Sequence, residues 1–116
     1  SYLDKKLDYI ADMGEDILKN MYSFGVSFDS CSLPGQPKSH QLESNEIEIG
    51  MGIHGEPGKT KTDWMKNVEL CAILLGQLKE QYGSGDIVVM VNSLGNVTGL
   101  ELTLIVNDVT KILSQQ

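Results

Sequence analysis

The chain has 116 residues, 41% of them hydrophobic and 22% charged, which fits one globular domain with a modest core and excludes disordered, collagen-like and repeat classes. Nine basic against sixteen acidic residues give a net charge of −7, the wrong sign for a nucleic-acid backbone or an anionic membrane surface. No apolar run is long enough to span a bilayer and no signal-peptide pattern opens the chain, so a cytoplasmic location is expected; the start at Ser1 rather than Met fits a fragment.

Leu3, Leu7, Ile10, Ile17, Leu18 and Met21 recur at helical spacing with Asp and Lys between them, predicting an amphipathic first helix with Gly14 as its weak point. From Ser23 to Ser32, Phe24, Val26 and Phe28 alternate with smaller residues, the pattern of a strand, and Leu33-Pro34-Gly35-Gln36-Pro37 ends it. After a polar stretch, Ile47, Ile49, Met51 and Ile53 follow strict period two, predicting a strand over 46–54 that runs into the turn Gly55-Glu56-Pro57-Gly58. Thr62 or Asp63 is expected to cap a helix reaching about Tyr82, with Trp64, Val68, Cys71, Leu75 and Leu78 on one face, stopped by Gly83-Ser84-Gly85. The apolar run from Asp86 to Val91 reads as a strand buried on both faces, beside the 46–54 strand or near it, followed by the loop Asn92-Ser93-Leu94-Gly95-Asn96. Thr98-Gly99-Leu100-Glu101 matches a capping box opening a last helix that runs to about Ser114.

The expected order is helix, strand, strand, helix, strand, helix. It implies an α/β fold, with α+β as the alternative, in a single layered domain whose helices pack on a small sheet. No internal repeat or interdomain linker divides the chain. Cys31 and Cys71 share no motif and are expected to be free thiols, Cys71 acting as a small hydrophobe within Cys71-Ala72-Ile73-Leu74-Leu75.

Two glycine motifs invite a nucleotide. Gly50-x-Gly52-x-x-Gly55 matches the dinucleotide fingerprint in spacing, but its last glycine is followed by Glu56-Pro57-Gly58 rather than a helix that could hold pyrophosphate. Gly58-Lys59-Thr60 resembles the end of a phosphate-binding loop, but the required first glycine falls on Ile53. Neither is expected to bind a nucleotide, and neither a cofactor nor a metal is expected in this chain. His54 closes a strand beside Gly55 and Gly58, which let a ligand approach the backbone. On spacing alone, a histidine bonded to a turn carbonyl is the simpler reading. Glu56 is either a general acid or base beside it or an exposed turn carboxyl group. Asn92 and Gly95 fit turn chemistry, and His40 fits a solvated loop.

The block Asn45-Glu46-Ile47-Glu48-Ile49-Gly50-Met51-Gly52-Ile53-His54-Gly55-Glu56-Pro57-Gly58 closely resembles the signature of the dihydroxyacetone kinase substrate-binding subunit family. Cys31-Ser32-Leu33-Pro34 with Gly35 and Pro37, then Val91-Asn92-Ser93-Leu94-Gly95, then Glu101-Leu102, are similar to further family segments in the same order. The resemblance covers almost the whole chain. It implies that His54 adds to the ketone of dihydroxyacetone as a covalent hemiaminal, with His54, Gly55 and Glu56 as substrate-binding residues. A neutral imidazole is a competent nucleophile toward a carbonyl, and covalent capture selects ketones and aldehydes over glycerol.

The implied partners are dihydroxyacetone or a related short-chain carbonyl sugar, a kinase domain or subunit holding ATP or ADP with Mg, and a second copy of the chain in a homodimer. The family's glycine-rich histidine loop and its Asp, from an earlier domain, do not occur here, nor do the strands that follow the last helix. Residues 1–116 are therefore expected to be part of the second domain of such a subunit and inactive as a kinase alone. The alternative is a non-catalytic relative that binds dihydroxyacetone and signals as a sensor or transcriptional coactivator. A further reading is a fragment that only packs or dimerises.

Overall fold

The computed structural model describes residues 7–28, 42–43, 45–50, 58–95 and 97–115. The elements in chain order are α1 (Leu7–Lys19), β1 (Val26–Ser27), β2 (Glu46–Ile49), β3 (Thr60–Asp63), α2 (Asn67–Tyr82) and α3 (Gly99–Leu113). The three strands form one sheet in the order β1-β2-β3, antiparallel throughout. Val26 stands opposite Ile49, while Glu46 faces Asp63 and Ile49 faces Thr60. The mixed helix-and-strand class follows as expected, in its α+β form.

The core follows the period-two pattern of β2. Ile47, 1% exposed, and Ile49 share a face and pack with Leu70 of α2, flanked by Phe24, Val26, Phe28, Met65 and Leu74. Phe28 also stacks on Trp64, ring centroids 5.2 Å apart. On its other side α2 packs against α3, with Cys71 and Leu75 buried. The Cys71 thiol is pushed above its ordinary range, first by burial and then by the nearby charge of Asp108. It is a free thiol and the small core hydrophobe expected.

Several expectations are corrected. Thr62 and Asp63 do not cap a helix. They belong to β3, because the β-branched threonines of Thr60-Lys61-Thr62-Asp63 pair along β2 instead. Helix α2 begins at Asn67, where the Lys66 N–H donates to the Glu69 carboxyl group at 3.3 Å. Trp64 therefore lies before that helix and Val68 is exposed, while Leu70 joins the core. The run 86–91 forms no strand and is not buried on both faces: Val88 is 99% and Met90 76% exposed. An apolar run signals burial only where a layer lies against it, and the neighbour of β2 on its far side is β3. The first strand is limited to Val26–Ser27 within 23–28, and residues 29–32 lie outside the described residues.

Helix α1 keeps the predicted stripe, with Leu7, Ile10, Ile17 and Leu18 exposed, and contacts no other described helix or strand. The capping box of α3 forms as read. The Thr98 Oγ1 accepts from the Glu101 N–H at 3.3 Å and the Glu101 carboxyl group accepts from the Thr98 N–H at 2.8 Å.

Candidate functional site

Strand β2 ends at Ile49 because Gly50 turns the chain with φ 85°, a conformation that only glycine adopts without strain. The Gly50 N–H donates to the Gly25 carbonyl at 2.7 Å, which ties the turn to β1. The chain returns at Gly58, where the Lys59 N–H donates to the Ile49 carbonyl at 2.8 Å before β3 starts. The two ends of the 50–58 segment are thus held together at the end of the sheet. His54, Gly55 and Glu56, the predicted capture and binding residues, lie between these ends and outside the described residues, as do Cys31, Pro34 and His40.

The described surroundings set the chemistry at the base of that segment. The Glu48 side chain leaves β2 on the face opposite Ile47 and Ile49 and is itself 3% exposed. Its Oε1 accepts from the Gly58 N–H at 2.9 Å, whereas no described group donates to its buried Oε2. Gly58 fits this approach because it has no side chain: a Cβ there would stand 2.5 Å from Glu48 Cγ and 2.8 Å from the Ile49 carbonyl oxygen. Sequence reasoning missed Glu48. The available signal was an acidic residue in the middle of a strand otherwise alternating with isoleucine, where burial is costly unless hydrogen-bonded.

On the other face, a cleft of about 260 Å³ opens between the sheet and α2, bounded by Phe24, Ile49, Lys59, Met65 and Gln77. The Lys59 Nζ stands 5.8 Å from the centroid of the Phe24 ring. Of the two glycine motifs, Gly52 and Gly55 lie outside the described residues. Gly58-Lys59-Thr60 leads into strand β3 rather than into a helix. Among the described residues no cluster of His, Cys, Asp or Glu has the grouping of a metal site.

The second predicted loop is a turn organised within itself. The Ser93 Oγ donates to the Val97 carbonyl at 2.8 Å and accepts from the Gly95 N–H at 3.3 Å, with Gly95 at φ 116°. Asn92 is exposed beside it. Turn chemistry accounts for Ser93 and Gly95.

The family described as the Dak1 domain matches residues 2–116 of this sequence. The chain is 31% identical over 121 residues to the dihydroxyacetone-binding subunit DhaK of the PTS-dependent dihydroxyacetone kinase of Lactococcus lactis, covering 100% of this chain and 36% of that protein. It is 34% identical over 116 residues to human triokinase/FMN cyclase, covering 92% of this chain and 20% of that one. Among solved structures, the dihydroxyacetone kinase operon co-activator Dha-DhaQ superposes with a TM-score of 0.85 at 26% identity, over 96% of this chain and 36% of that one. The native dihydroxyacetone kinase of C. freundii superposes with a TM-score of 0.80 at 28% identity, over 92% and 20% of the two chains. The chain thus spans about a third or less of these relatives.

Proposed function

This chain belongs to the Dak1 domain family, and from that premise we propose that residues 1–116 are part of the second domain of a dihydroxyacetone kinase's substrate-binding subunit. The observation that carries the reading is the family match over 2–116, together with relatives named as dihydroxyacetone-binding and kinase proteins. A cytoplasmic setting belongs to the same proposal; no described helix is long and apolar enough to cross a membrane.

In this proposal His54 captures the substrate. A neutral imidazole nitrogen adds to the central carbon of dihydroxyacetone and the carbonyl π pair moves to oxygen. That oxygen takes up a proton as the other ring nitrogen gives one up, so a hemiaminal forms with no leaving group. Gly55 leaves room for the substrate beside the backbone. Glu56 binds substrate and is the candidate to relay the proton. A terminal hydroxyl of the held substrate then attacks the phosphate donor, ATP or ADP with Mg, on a partner domain or subunit. Support for a nucleotide donor comes from the C. freundii kinase, crystallised with AMP-PNP and Mg2+. A second copy of the chain as partner remains part of the proposal.

A soak of the full-length protein with dihydroxyacetone tests the capture. Continuous density between an imidazole nitrogen of His54 and the central carbon is the expected result, and His54→Ala loses the adduct and much of the discrimination against glycerol. Substrate density elsewhere, with His54 bonded only to backbone, refutes it. The likeness to the operon co-activator favours a second reading, a non-catalytic dihydroxyacetone sensor. Phosphorylation of dihydroxyacetone by the full-length protein with its nucleotide-binding partner separates the two.

A further inference from the structure

The run Ile87-Val88-Val89-Met90 forms neither helix nor turn, and its exposure alternates. Ile87 and Val89 are 41% and 39% exposed, whereas Val88 and Met90 stand out at 99% and 76%. Period two is the signature of an extended chain with one face laid on the molecule and the other turned outward. Among the described residues no backbone group pairs with it: the backbone hydrogen bonds outside the regular elements pass from Gly83 directly to Leu102. Both edges of this ribbon are therefore open, at a place where backbone N–H and C=O groups require partners once covered. The ribbon is not built to face water. Between Ile87 and Leu100 there is no charged residue and no proline. Strands that end a sheet are blunted by shortness, charge or proline. The described sheet obeys that rule, since β1 has two residues and β3 carries Lys61 and Asp63. The contrast within one molecule marks 87–90 as an interior position with its neighbours missing.

We propose that 87–90 is a docking strand for an extended apolar segment of the same polypeptide outside residues 1–116, which pairs with its backbone and closes a layer over Val88 and Met90. The inference rests on the reading of these residues as part of a larger subunit. Two observations favour the same polypeptide over a second copy of the chain. The chain spans 36% of the L. lactis subunit that it matches, so a protein of that length brings nearly twice as much chain again. The surface of 9275 Å² exceeds that of a compact monomer of this mass by about 3,000 Å². A standard interface between two proteins removes only about 800 Å² from each partner. A copy added to one edge would leave the other edge open and the outward side chains of Val88 and Met90 wet.

The test uses the full-length protein, read by exchange of individual backbone amides, by melting temperature and by mass in solution. Amides of 87–90 are expected to exchange at least about a thousandfold more slowly than those of an open chain, as core strands do. Val88→Lys and Met90→Lys place a charge inside the closed layer and are expected to lower the melting temperature by about 5 °C or more. Gln81→Lys, at an exposed site of α2, is the control and should shift it by less than about 2 °C. Should the lysine variants fail to fold, exchange in the parent protein decides the question alone. Open-chain exchange at 87–90 overturns the proposal, as does a Val88→Lys protein as stable as the control. Protection that appears only as the protein is concentrated, together with a rising mass, also overturns it, because the occupant is then a second copy. The capture reading fails separately. Slow exchange at 87–90 in a protein that forms no dihydroxyacetone adduct supports the docking strand and sinks the capture. An adduct formed while 87–90 exchanges as an open chain sinks the docking strand alone.

Discussion

Glu101 is held below the ordinary carboxylate range by the Thr98 hydroxyl and, next in weight, by the Thr98 backbone N–H. Its folded value therefore lies beneath its unfolded one. The stabilisation is complete above the unfolded value and is lost as pH falls through the depressed folded value. Amides in the first turn of α3 are expected to lose protection over that acid window, and Glu101→Gln should flatten the pH dependence. An unchanged profile in that variant would show that the bond contributes nothing. This capping box was legible because its two partners are neighbours in sequence, three positions apart, and both hydrogen bonds are local. Glu48 was not legible. Its partner Gly58 is brought to it by the sheet, and sequence alone does not say which of the two β2 faces will be closed over. His54 was read from resemblance to the family block.

Among the elements, β2 carries the core. Ile47 is its most buried residue and meets both the sheet and α2 through Leu70. Ile47→Ala is expected to cost about 2–5 kcal/mol, as other buried isoleucine truncations do. Urea unfolding checks it by a lowered midpoint at unchanged slope. A cost near zero would mean that the cluster closes over the gap. The period-two signal found this strand, which is described from Glu46 to Ile49 with Gly50 at φ 85° after it, and 51–54 of the predicted 46–54 lie outside the described residues. The short β3 escaped notice. Thr60-Lys61-Thr62-Asp63 is polar throughout, and its pairing depends on the end-to-end closure of 50–58, a tertiary fact. The last helix, bounded by its own cap, was read almost to the residue.

At the scale of the molecule, the accessible surface of 9275 Å² exceeds the about 6,200 Å² that a compact monomer of this mass exposes. Part of the excess is apolar: the stripe of α1, and Ile87 to Met90, which sequence reasoning placed inside a sheet. The run 86–91 was misread because its composition specifies a buried environment without supplying one.

Helix α1 has 13 residues and no other described helix or strand against its apolar side. Local bonds along it include exposed Lys19 ion pairs to Glu15 at 3.9 Å and Asp16 at 4.0 Å and an Asn20 side-chain bond to the Asp16 carbonyl at 2.8 Å. A helix of this length, left to its own hydrogen bonds, sits in the range of about 12–15 residues where coil and helix compete on nearly equal terms. The chain should therefore not melt as one body. Heating is expected to unwind α1 gradually, in proportion to temperature, while β2, β3 and α2 hold until a single sharp transition. Residue-resolved chemical shifts followed along a temperature ramp would separate the two, and a shared sigmoid at Ile10 and Ile47 would rule the division out. The strongly amphipathic segment at the front of the sequence would then behave in solution as an equilibrium between coil and helix, with its helical fraction a direct gauge of whatever surface it is resting on.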